Sequence, residues 1–281
     1  MVLGSASWRL SYGLRQETPK NQFQIKNLLE FAASMGISWI DTAQTYGDSE
    51  KIIGELKPGL KIATKIEFKD LSEADLSRQI QASTYSLKRE LLDLVFIHDW
   101  DSLSNSEKFT ASTWLDKSTQ SGQIRAWGLS SYEAGSLLEI TEYTNSPIVF
   151  QINCNLLDQR LPHIIKNASS IKSFLNNGEI WLRSVFLQGL LINQDLTTKF
   201  SGHSDLKRFF SYCKEQEIHP IALALGFIKS LPFCDKVVLG TSSVSELSEL
   251  LMFEKNQLPT CDWSKFNSVD LTLIDPRRWG I

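Results

Sequence analysis

The sequence predicts a (β/α)8 TIM barrel that forms a single domain over residues 1–281. Eight short apolar runs alternate with longer amphipathic segments, and this alternation is typical of parallel α/β folds. Most of the runs are continuously apolar, as expected of parallel strands that are buried on both faces. No linker rich in Pro, Gly and Ser interrupts the pattern, so a second domain is not predicted. A doubly wound open sheet shows the same alternation and is the alternative fold.

The eight predicted strands coincide with the apolar runs. In chain order they are Leu3–Ser7, Trp39–Thr42, Ile62–Lys65, Leu94–His98, Ile124–Ser130, Ile148–Asn153, Ile180–Val185 and Val237–Gly240. The predicted helices lie between them, at Gln24–Met35, Ser72–Leu91, Asn105–Ser121, Tyr132–Thr144, Leu206–Glu217 and Val244–Phe253.

Two of these helices carry signals for where they begin or end. Gln24–Met35 has an apolar stripe at helical spacing, and Gly36 directly after it is a favourable C-terminal cap. Ser72–Leu91 begins with Ser-Glu-Ala-Asp, which is typical of a helix N-terminus. The pattern is mixed over Leu156–Asn177, and Gln188–Asp205 is polar and is predicted to be a surface loop.

Composition excludes several classes of protein. Hydrophobic residues make up 42% of the chain and charged residues 22%, which excludes a disordered or collagen-like protein. The net charge of -3 provides no basic excess for nucleic acid. The longest apolar run, Ile221 to Ile228, falls well short of the roughly 20 residues that cross a membrane.

Cysteine usage and the N-terminal residues indicate the compartment. The four cysteines contain no C-x-x-C pair, which favours reduced thiols over a disulfide framework. The opening MVLGSASWRL lacks the basic and apolar regions of a secretory signal. We therefore expect a cytoplasmic protein that binds neither nucleic acid nor membrane.

Polar residues follow the second, third and fourth apolar runs. Asp41 ends the second run, Lys65 the third and His98 the fourth, and Tyr46 lies five residues beyond Asp41. The active site of a parallel barrel forms where the strands end, so the four side chains are predicted to share one mouth. Taken singly, each has a structural explanation: the aspartate as a cap, the lysine as a solvated strand end, the histidine in packing and the tyrosine in a turn.

Together the four residues suit the protonation of a carbonyl oxygen. A phenol with a pKa near ~10 is a weak acid at neutral pH, and a nearby ammonium lowers that pKa. Asp41 would hold Lys65 charged and in place, while His98 would polarise the carbonyl or relay a proton. This set suits a reaction in which hydride reaches the carbonyl carbon as the oxygen receives a proton.

Motifs for other chemistries are absent from the sequence. No G-x-G occurs, which excludes the glycine-rich fingerprint of a Rossmann domain and the Walker loop. Neither H-E-x-x-H nor G-x-S-x-G is present, and the four histidines lack metal-ligand spacing. No metal site is therefore predicted.

The motifs resemble those of the aldo-keto reductase family. Residues 36–50, GISWIDTAQTYGDSE, match the family pattern G-x-x-x-x-D-T-A-x-x-Y-G-x-S/N-E, which is highly specific. Further family blocks follow in order over roughly residues 3–254: ATK at 63–65, LDLVFIH at 92–98, SGQIRAWGLS at 121–130, VFQIN at 149–153 and VLGTSS at 238–243. The segments LLDQR at 156–160, RSVFLQGLL at 183–191 and DPRRW at 275–279 resemble a short bacterial branch of the family that is associated with polysaccharide and sugar metabolism.

The resemblance implies an enzyme that reduces an aldehyde or ketone, with sugar-derived carbonyls as candidates. NADP(H) or NAD(H) would bind without a Rossmann domain, and a small carbonyl or alcohol would be the partner. The implied catalytic residues are Asp41, Tyr46, Lys65 and His98, with Tyr46 as the general acid. The implied cofactor-binding residues are Ser130 and Gln151 at the carboxamide, Arg183 and Ser184 near the end of the seventh predicted strand, and Gly240, Thr241, Ser242, Ser243 and Glu246 near a helix N-terminus, which attracts phosphate.

Three features depart from the family or are particular to this chain. Arg183 stands where the family often has an aromatic residue that stacks on the nicotinamide; a guanidinium is also planar but adds charge. Glu246 stands where many members that prefer NADP(H) have a basic or amide side chain, which predicts weaker discrimination against NAD(H). Trp8 and Trp100 follow the first and fourth strands and are predicted to wall the substrate pocket.

Two alternatives to a carbonyl reductase are open. The family includes cofactor-binding subunits that are catalytically idle and regulate a partner, and the complete tetrad favours the enzyme over these. A barrel isomerase that uses Lys65 and His98 without a redox cofactor is the third hypothesis.

Overall fold

Eight parallel strands close into a barrel in the order of the chain, β1 to β8. The computed structural model describes residues 1–10, 14, 18–167, 178–200 and 202–280. The strands are β1 Val2–Gly4, β2 Trp39–Asp41, β3 Lys61–Ile66, β4 Leu94–Ile97, β5 Trp127–Ser131, β6 Val149–Asn153, β7 Glu179–Arg183 and β8 Lys236–Gly240. The (β/α)8 barrel predicted from the sequence is therefore confirmed, and the open sheet is excluded because β1 pairs with both β2 and β8.

Side chains rather than a channel fill the inside of the barrel. The strands direct a compact apolar cluster inward that includes Phe96 and Trp181, whose rings meet edge to face with centroids 5.7 Å apart. Gly128 on β5 makes room for this cluster, because a Cβ there would collide with the ring of Phe96 and with the carbonyl of Val149. A larger apolar layer packs the outer faces of the strands against the helices.

Helices surround the barrel. Those in the described part of the chain are α1 Ala6–Arg9, α2 Gln22–Ser34, α3 Ser49–Leu56, α4 Glu73–Leu87, α5 Asn105–Gln120, α6 Ser136–Glu139, α7 Arg160–Asn167, α8 Ser204–Glu215, α9 Pro220–Lys229, α10 Val244–Lys255 and α11 Leu271–Ile274. In the described residues, no helix is long and apolar enough to cross a membrane.

Capping explains several of these boundaries. The helices α2, α4 and α5 begin with capping boxes at Asn21, Ser72 and Ser104, in which the cap side chain and the third helical residue exchange hydrogen bonds with the backbone. Gly36 follows α2 with a φ of +81°, the left-handed conformation predicted for a cap there.

The structure corrects the sequence prediction in three places and adds a helix in a fourth, where the pattern was mixed. The first strand ends at Gly4 and not at Ser7, because α1 begins at Ala6. Tyr132–Thr144 forms only the short helix α6 and a 3-10 turn. Within Leu156–Asn177, α7 is present and residues 168–177 lie outside the described part. Gln188–Asp205 contains 3-10 turns and buried leucines rather than a purely polar loop.

Candidate active site

One cavity of about 310 Å³ opens at the carboxyl ends of the strands. Asp41 is the last residue of β2, Lys65 lies near the end of β3, and His98 directly follows β4. Tyr46 reaches the same cavity from the loop between β2 and α3. The structure thus brings all four predicted catalytic residues together.

A buried ion pair forms the floor of this cavity. Lys65 Nζ donates to Asp41 Oδ2 at 2.5 Å and to the carbonyl oxygen of Thr42 at 3.1 Å, and both charged side chains are almost fully buried. Gln151 Nε2 donates to the second oxygen, Asp41 Oδ1, at 2.7 Å. Burial lowers the pKa of Lys65, and the charge of Asp41 acts against this shift. Each charge is therefore compensated by the other and by hydrogen bonds.

The phenol of Tyr46 lies above this ion pair. Lys65 Nζ is 4.9 Å from the centroid of the ring, and the His98 ring meets it edge to face at 6.0 Å. Loss of solvation raises the pKa of Tyr46 well above its usual value, and the negative charge of Asp41 raises it further. The sequence-based expectation that this site lowers the phenol pKa is wrong here, because burial and Asp41 dominate. The phenol is consequently protonated at neutral pH.

His98 is a neutral imidazole in this environment. Burial lowers its pKa to about 3, and the charges of Lys65 and Arg183 act in the same direction. Its Nδ1 lies 3.4 Å from Thr45 Oγ1. A neutral imidazole carries one N–H donor and can hydrogen-bond to a carbonyl oxygen, but it adds no positive charge.

Among the buried polar atoms that have no partner in the described residues, two bear on ligand binding near the catalytic groups. They are Ser130 Oγ, on a residue that lines the cavity, and Gln151 Oε1, whose amide nitrogen already binds Asp41. Buried polar atoms usually have a partner, so unpaired ones beside a cavity suit a ligand that carries both a donor and an acceptor. Ser184 also lines the cavity, with a φ of +58°, and donates to Asn153 Oδ1 at 2.9 Å.

Arg183 ends β7 and extends across the mouth of the barrel. Its Nη2 donates to the carbonyl oxygen of Ser131 on β5 at 3.2 Å, and its Cζ lies 4.2 Å from the centroid of the Tyr132 ring. Tyr132 lines the cavity too and was missed by the sequence analysis. The signal for it was present, because it lies two residues after the polar end of the fifth predicted strand.

The turn between β8 and α10 forms the opposite rim. Gly240, Ser242 and Glu246 line the cavity. Ser243 Oγ accepts from the backbone N–H of Glu246 at 3.1 Å and so caps α10. The carboxylate of Glu246 folds back, and its Oε2 accepts from the Ser242 N–H at 2.8 Å. Glu246 is thus held at the helix N-terminus, where the helix dipole favours its negative charge. Its carboxylate does not turn away into solvent.

Trp8 and Trp100 do not wall the pocket, contrary to the sequence prediction. Both side chains are fully buried. Trp8 Nε1 donates to the carbonyl oxygen of Thr241 at 2.8 Å and so supports the β8–α10 turn from beneath, while Trp100 packs edge to face on Tyr143. Their large apolar rings stabilise the core and are not accessible to a ligand.

The segment after β7 supplies lining residues that the sequence analysis did not assign. They are Val185, Phe186, Gln188, Gly189 and Ile192, joined by Ala6 and Ser7 after β1. Gln188 has a φ of +52° and Gly189 one of +91°, so the backbone turns sharply toward the cavity here. The described residues contain no group of three or more His, Cys, Asp or Glu that could hold a metal ion.

Comparisons with known proteins agree with this geometry. A model of the Aldo/keto reductase family matches residues 1–271. D-arabinose 1-dehydrogenase of Saccharomyces cerevisiae is 24% identical over an alignment that covers 98% of this chain and 88% of that protein. The holo form of the aldo-keto reductase AKR11C1 from Bacillus halodurans superposes with a TM-score of 0.75 at 16% identity, covering 99% of this chain and 94% of that one. The thermostable aldo-keto reductase Tm1743 has a TM-score of 0.66 at 21% identity, with coverage of 94% and 92%.

Proposed function

The chain belongs to the aldo/keto reductase family and is an oxidoreductase that acts on carbonyls, and on this premise we propose that it reduces an aldehyde or ketone with hydride from NADPH or NADH. Tyr46 is the proposed general acid. The observation that carries the proposal is the phenol of Tyr46, held protonated over the Lys65–Asp41 pair in a cavity that it shares with His98.

Each catalytic side chain has a distinct task in this proposal. Tyr46 gives its proton to the carbonyl oxygen as negative charge develops there. The ammonium of Lys65 stabilises the phenolate that remains, and Asp41 keeps that ammonium in position. Neutral His98 donates a hydrogen bond to the same carbonyl oxygen, which orients the substrate.

The residues of the cavity fit a nicotinamide cofactor. The cofactor supplies the hydride when it is bound. A carboxamide has an NH2 donor and a carbonyl acceptor, and the unpaired Ser130 Oγ and Gln151 Oε1 offer the complementary groups. Arg183, the last residue of β7, and Ser184 directly after it line the same cavity and are also proposed to contact the cofactor.

The phosphate-binding end is assigned to the β8–α10 turn. Gly240 leaves open space where a Cβ would stand, so a ligand can approach the backbone closely. Thr241, Ser242 and Ser243 carry hydroxyl and backbone N–H groups at the N-terminus of α10, where the helix dipole favours an anion. The N–H and hydroxyl of Ser242 donate to Glu246 Oε2 in this structure, so a phosphate bound there would replace that carboxylate as their acceptor.

Glu246 bears on the choice between NADP(H) and NAD(H). Its carboxylate already accepts the Ser242 N–H and places a negative charge at the rim of the cavity. A 2′-phosphate would meet that charge, whereas a ribose hydroxyl could donate to it. We therefore expect NAD(H) to compete well with NADP(H).

The substrate is proposed to be a small hydroxylated carbonyl compound, sugar-derived in particular. The relative from yeast is named as a dehydrogenase of D-arabinose. Tyr132, Ser7 and Gln188 line the same cavity as the catalytic groups, and these side chains can hydrogen-bond to hydroxyl groups. The proposed location is the cytoplasm, in keeping with the four cysteines, which are all free.

A titration followed by a turnover assay tests the proposal. Binding of NADPH and NADH is measured by the change in cofactor fluorescence, and turnover is then measured on a panel of aldoses, aldehydes and ketones. We expect binding of both cofactors and oxidation of the reduced cofactor by at least one carbonyl. Binding without turnover would favour an idle regulatory subunit, and the absence of binding would contradict both functions.

A further inference from the structure

The guanidinium of Arg183 lies at the reacting end of the cavity. Arg183 ends β7, is half-buried and lines the cavity with Tyr46, Lys65 and His98. Its Nη2 crosses β6 to reach the carbonyl oxygen of Ser131 at 3.2 Å. It therefore lies beside Ser130, one of the two residues proposed to hold the nicotinamide carboxamide.

A stack of side chains fixes this guanidinium in place. The Cζ of Arg183 lies 4.2 Å from the centroid of the Tyr132 ring, and the Cζ of Arg277 lies 4.4 Å from the same centroid. Arg277 is itself held by Glu133 at 2.5 Å and by Asp275 at 2.7 Å. Because Tyr132 is fixed from the C-terminal segment, the charge of Arg183 has a defined position before any ligand binds.

Arg183 brings positive charge to the catalytic groups. Lys65 and Asp41 compensate each other as an ion pair, and His98 is neutral at physiological pH. Arg183 lowers the pKa of Tyr46, of Lys65 and of His98, so its charge acts on all three. The other carboxylate that lines the cavity, Glu246, lies at the opposite rim beside α10.

We propose that Arg183 makes the protein bind the reduced nicotinamide cofactor more tightly than the oxidised one. The inference rests on the proposed function. The oxidised ring is positively charged and the reduced ring is neutral, while the ribose and phosphate groups are the same in both forms. A fixed guanidinium near the ring therefore repels only the oxidised form. By linkage, the same preference raises the reduction potential of the bound cofactor, so the bound oxidised form is a stronger oxidant than the free one. It also favours release of the oxidised form after carbonyl reduction.

The experiment measures dissociation constants and not turnover. NADH and NADPH are titrated by fluorescence, and NAD⁺ and NADP⁺ by displacement of the reduced form. The readout is Kd of the oxidised form divided by Kd of the reduced form, for wild type, Arg183→Met and Arg183→Lys. Arg125→Met serves as the matched control, because Arg125 is exposed and lies at the other end of the barrel, before β5.

We expect Arg183→Met to lower the ratio by about tenfold, the effect of a unit charge several ångströms away in a partly solvated site. Arg183→Lys, which keeps the charge, should retain most of the ratio, and Arg125→Met should leave it unchanged. Circular dichroism checks that each variant is folded, and Arg183→Gln, which keeps hydrogen-bonding groups, replaces the methionine variant if that one is unfolded.

Two other results would overturn the inference. Equal weakening of both cofactor forms in Arg183→Met would mean that Arg183 contacts the shared ribose or phosphate groups and does not sense the ring. A wild-type ratio that no Arg183 variant changes would show that its charge does not reach the ring. Failure of the wild type to bind either form is a different outcome, because it contradicts the proposed function itself.

Discussion

Tyr46 carries its proton at neutral pH because burial and the charge of Asp41 both raise its pKa. The proton is needed only as charge develops on the carbonyl oxygen, so its loss should affect the transition state and not cofactor binding. We expect Tyr46→Phe to lower kcat by about 10²–10⁴-fold and to leave the Kd of NADH and NADPH nearly unchanged. Steady-state kinetics and fluorescence titration measure the two effects. A variant that keeps more than about a tenth of the activity would exclude Tyr46 as the acid.

Lys65 is the cation that compensates Asp41, and its removal leaves a buried carboxylate beneath the phenol. The uncompensated charge of Asp41 should raise the pKa of Tyr46 further. Lys65→Met should therefore lower kcat by about 10²-fold and move the alkaline limb of the pH–rate profile to higher pH. The double variant Asp41→Asn with Lys65→Met removes both charges and should show a smaller shift of the limb. An alkaline limb at the wild-type position in Lys65→Met would contradict this pairing.

At the scale of elements, the N-terminus of α10 holds a carboxylate where a phosphate is proposed to bind. Glu246 Oε2 accepts the Ser242 N–H at 2.8 Å, so its carboxylate binds the turn before the helix and places negative charge at the rim of the cavity. Glu246→Arg should shift the ratio of kcat/KM toward NADP(H) over NAD(H) by about tenfold, since repulsion of the 2′-phosphate becomes attraction. Glu246→Gln keeps an acceptor oxygen for Ser242 and should give an intermediate shift. A strong wild-type preference for NADP(H) that neither variant changes would show that Glu246 does not contact the 2′ position.

A second buried carboxyl group joins β3 to α3 and α4. Glu50 Oε1 accepts from Thr64 Oγ1 at 2.5 Å and from Ser83 Oγ at 2.9 Å. Burial raises the pKa of Glu50, and these two hydrogen bonds only partly oppose the shift. A carboxyl whose pKa is raised on folding contributes full stability below its unfolded pKa of about 4.3 and loses it as pH rises through the folded value.

Glu50→Gln removes this pH dependence while keeping an acceptor for the two hydroxyls. At low pH we expect the variant to be as stable as the wild type or less stable. As pH rises toward neutral, its stability relative to the wild type should increase. Thermal unfolding measured across pH checks this, with the exposed Glu55→Gln on the same helix as the control. If the curves of unfolding temperature against pH run parallel for wild type and Glu50→Gln, the raised pKa of Glu50 is contradicted.

How well the sequence predicted an element depended on whether its pattern was amphipathic. α2 and α4 carry a buried stripe and explicit caps, and both were predicted within a few residues. α9 was noticed only as an apolar run, because it is buried over almost all of its length and shows no helical period. α3 was missed because it is short and contains Gly54, which lets it approach Ser86 of α4 closely where a Cβ would collide with the backbone.

The sequence predicted some residues of the candidate site correctly and misassigned others. The predicted tetrad converges because strand order alone brings Asp41, Lys65 and His98 to one mouth. Trp8 and Trp100 were misassigned because position after a strand does not tell whether a side chain turns toward the cavity or into the layer beneath the helices. That orientation is set by tertiary packing, which no local pattern encodes.

At the scale of the whole molecule, the C-terminal segment ties together loops from separate parts of the barrel. Arg277 contacts Glu133 after β5 at 2.5 Å and Asp101 after β4 at 3.5 Å. It also pairs with Asp275, whose side chain is only 2% exposed. Burial acts to raise the pKa of Asp275, but the hydrogen bond and charge of Arg277 outweigh it and hold the pKa below its usual value. The loops after β4 and β5 are therefore joined to the C-terminal segment by residues that lie far apart in the sequence.

Removing Arg277 should destabilise the fold by leaving a buried carboxylate without its main partner. We expect Arg277→Met to cost about 1–3 kcal/mol in the free energy of unfolding at neutral pH, measured by urea denaturation. Since the folded pKa of Asp275 is depressed, the wild type should lose this contribution as pH falls through the folded value, so the two proteins should converge in acid. Arg278→Met, at an exposed residue 3.8 Å from Asp275, should cost less. Adding Asp275→Asn to Arg277→Met should restore part of the stability, because the buried charge is gone. If the double variant is less stable than Arg277→Met, the hydrogen bonds of Asp275, and not its charge, hold the C-terminal segment in place.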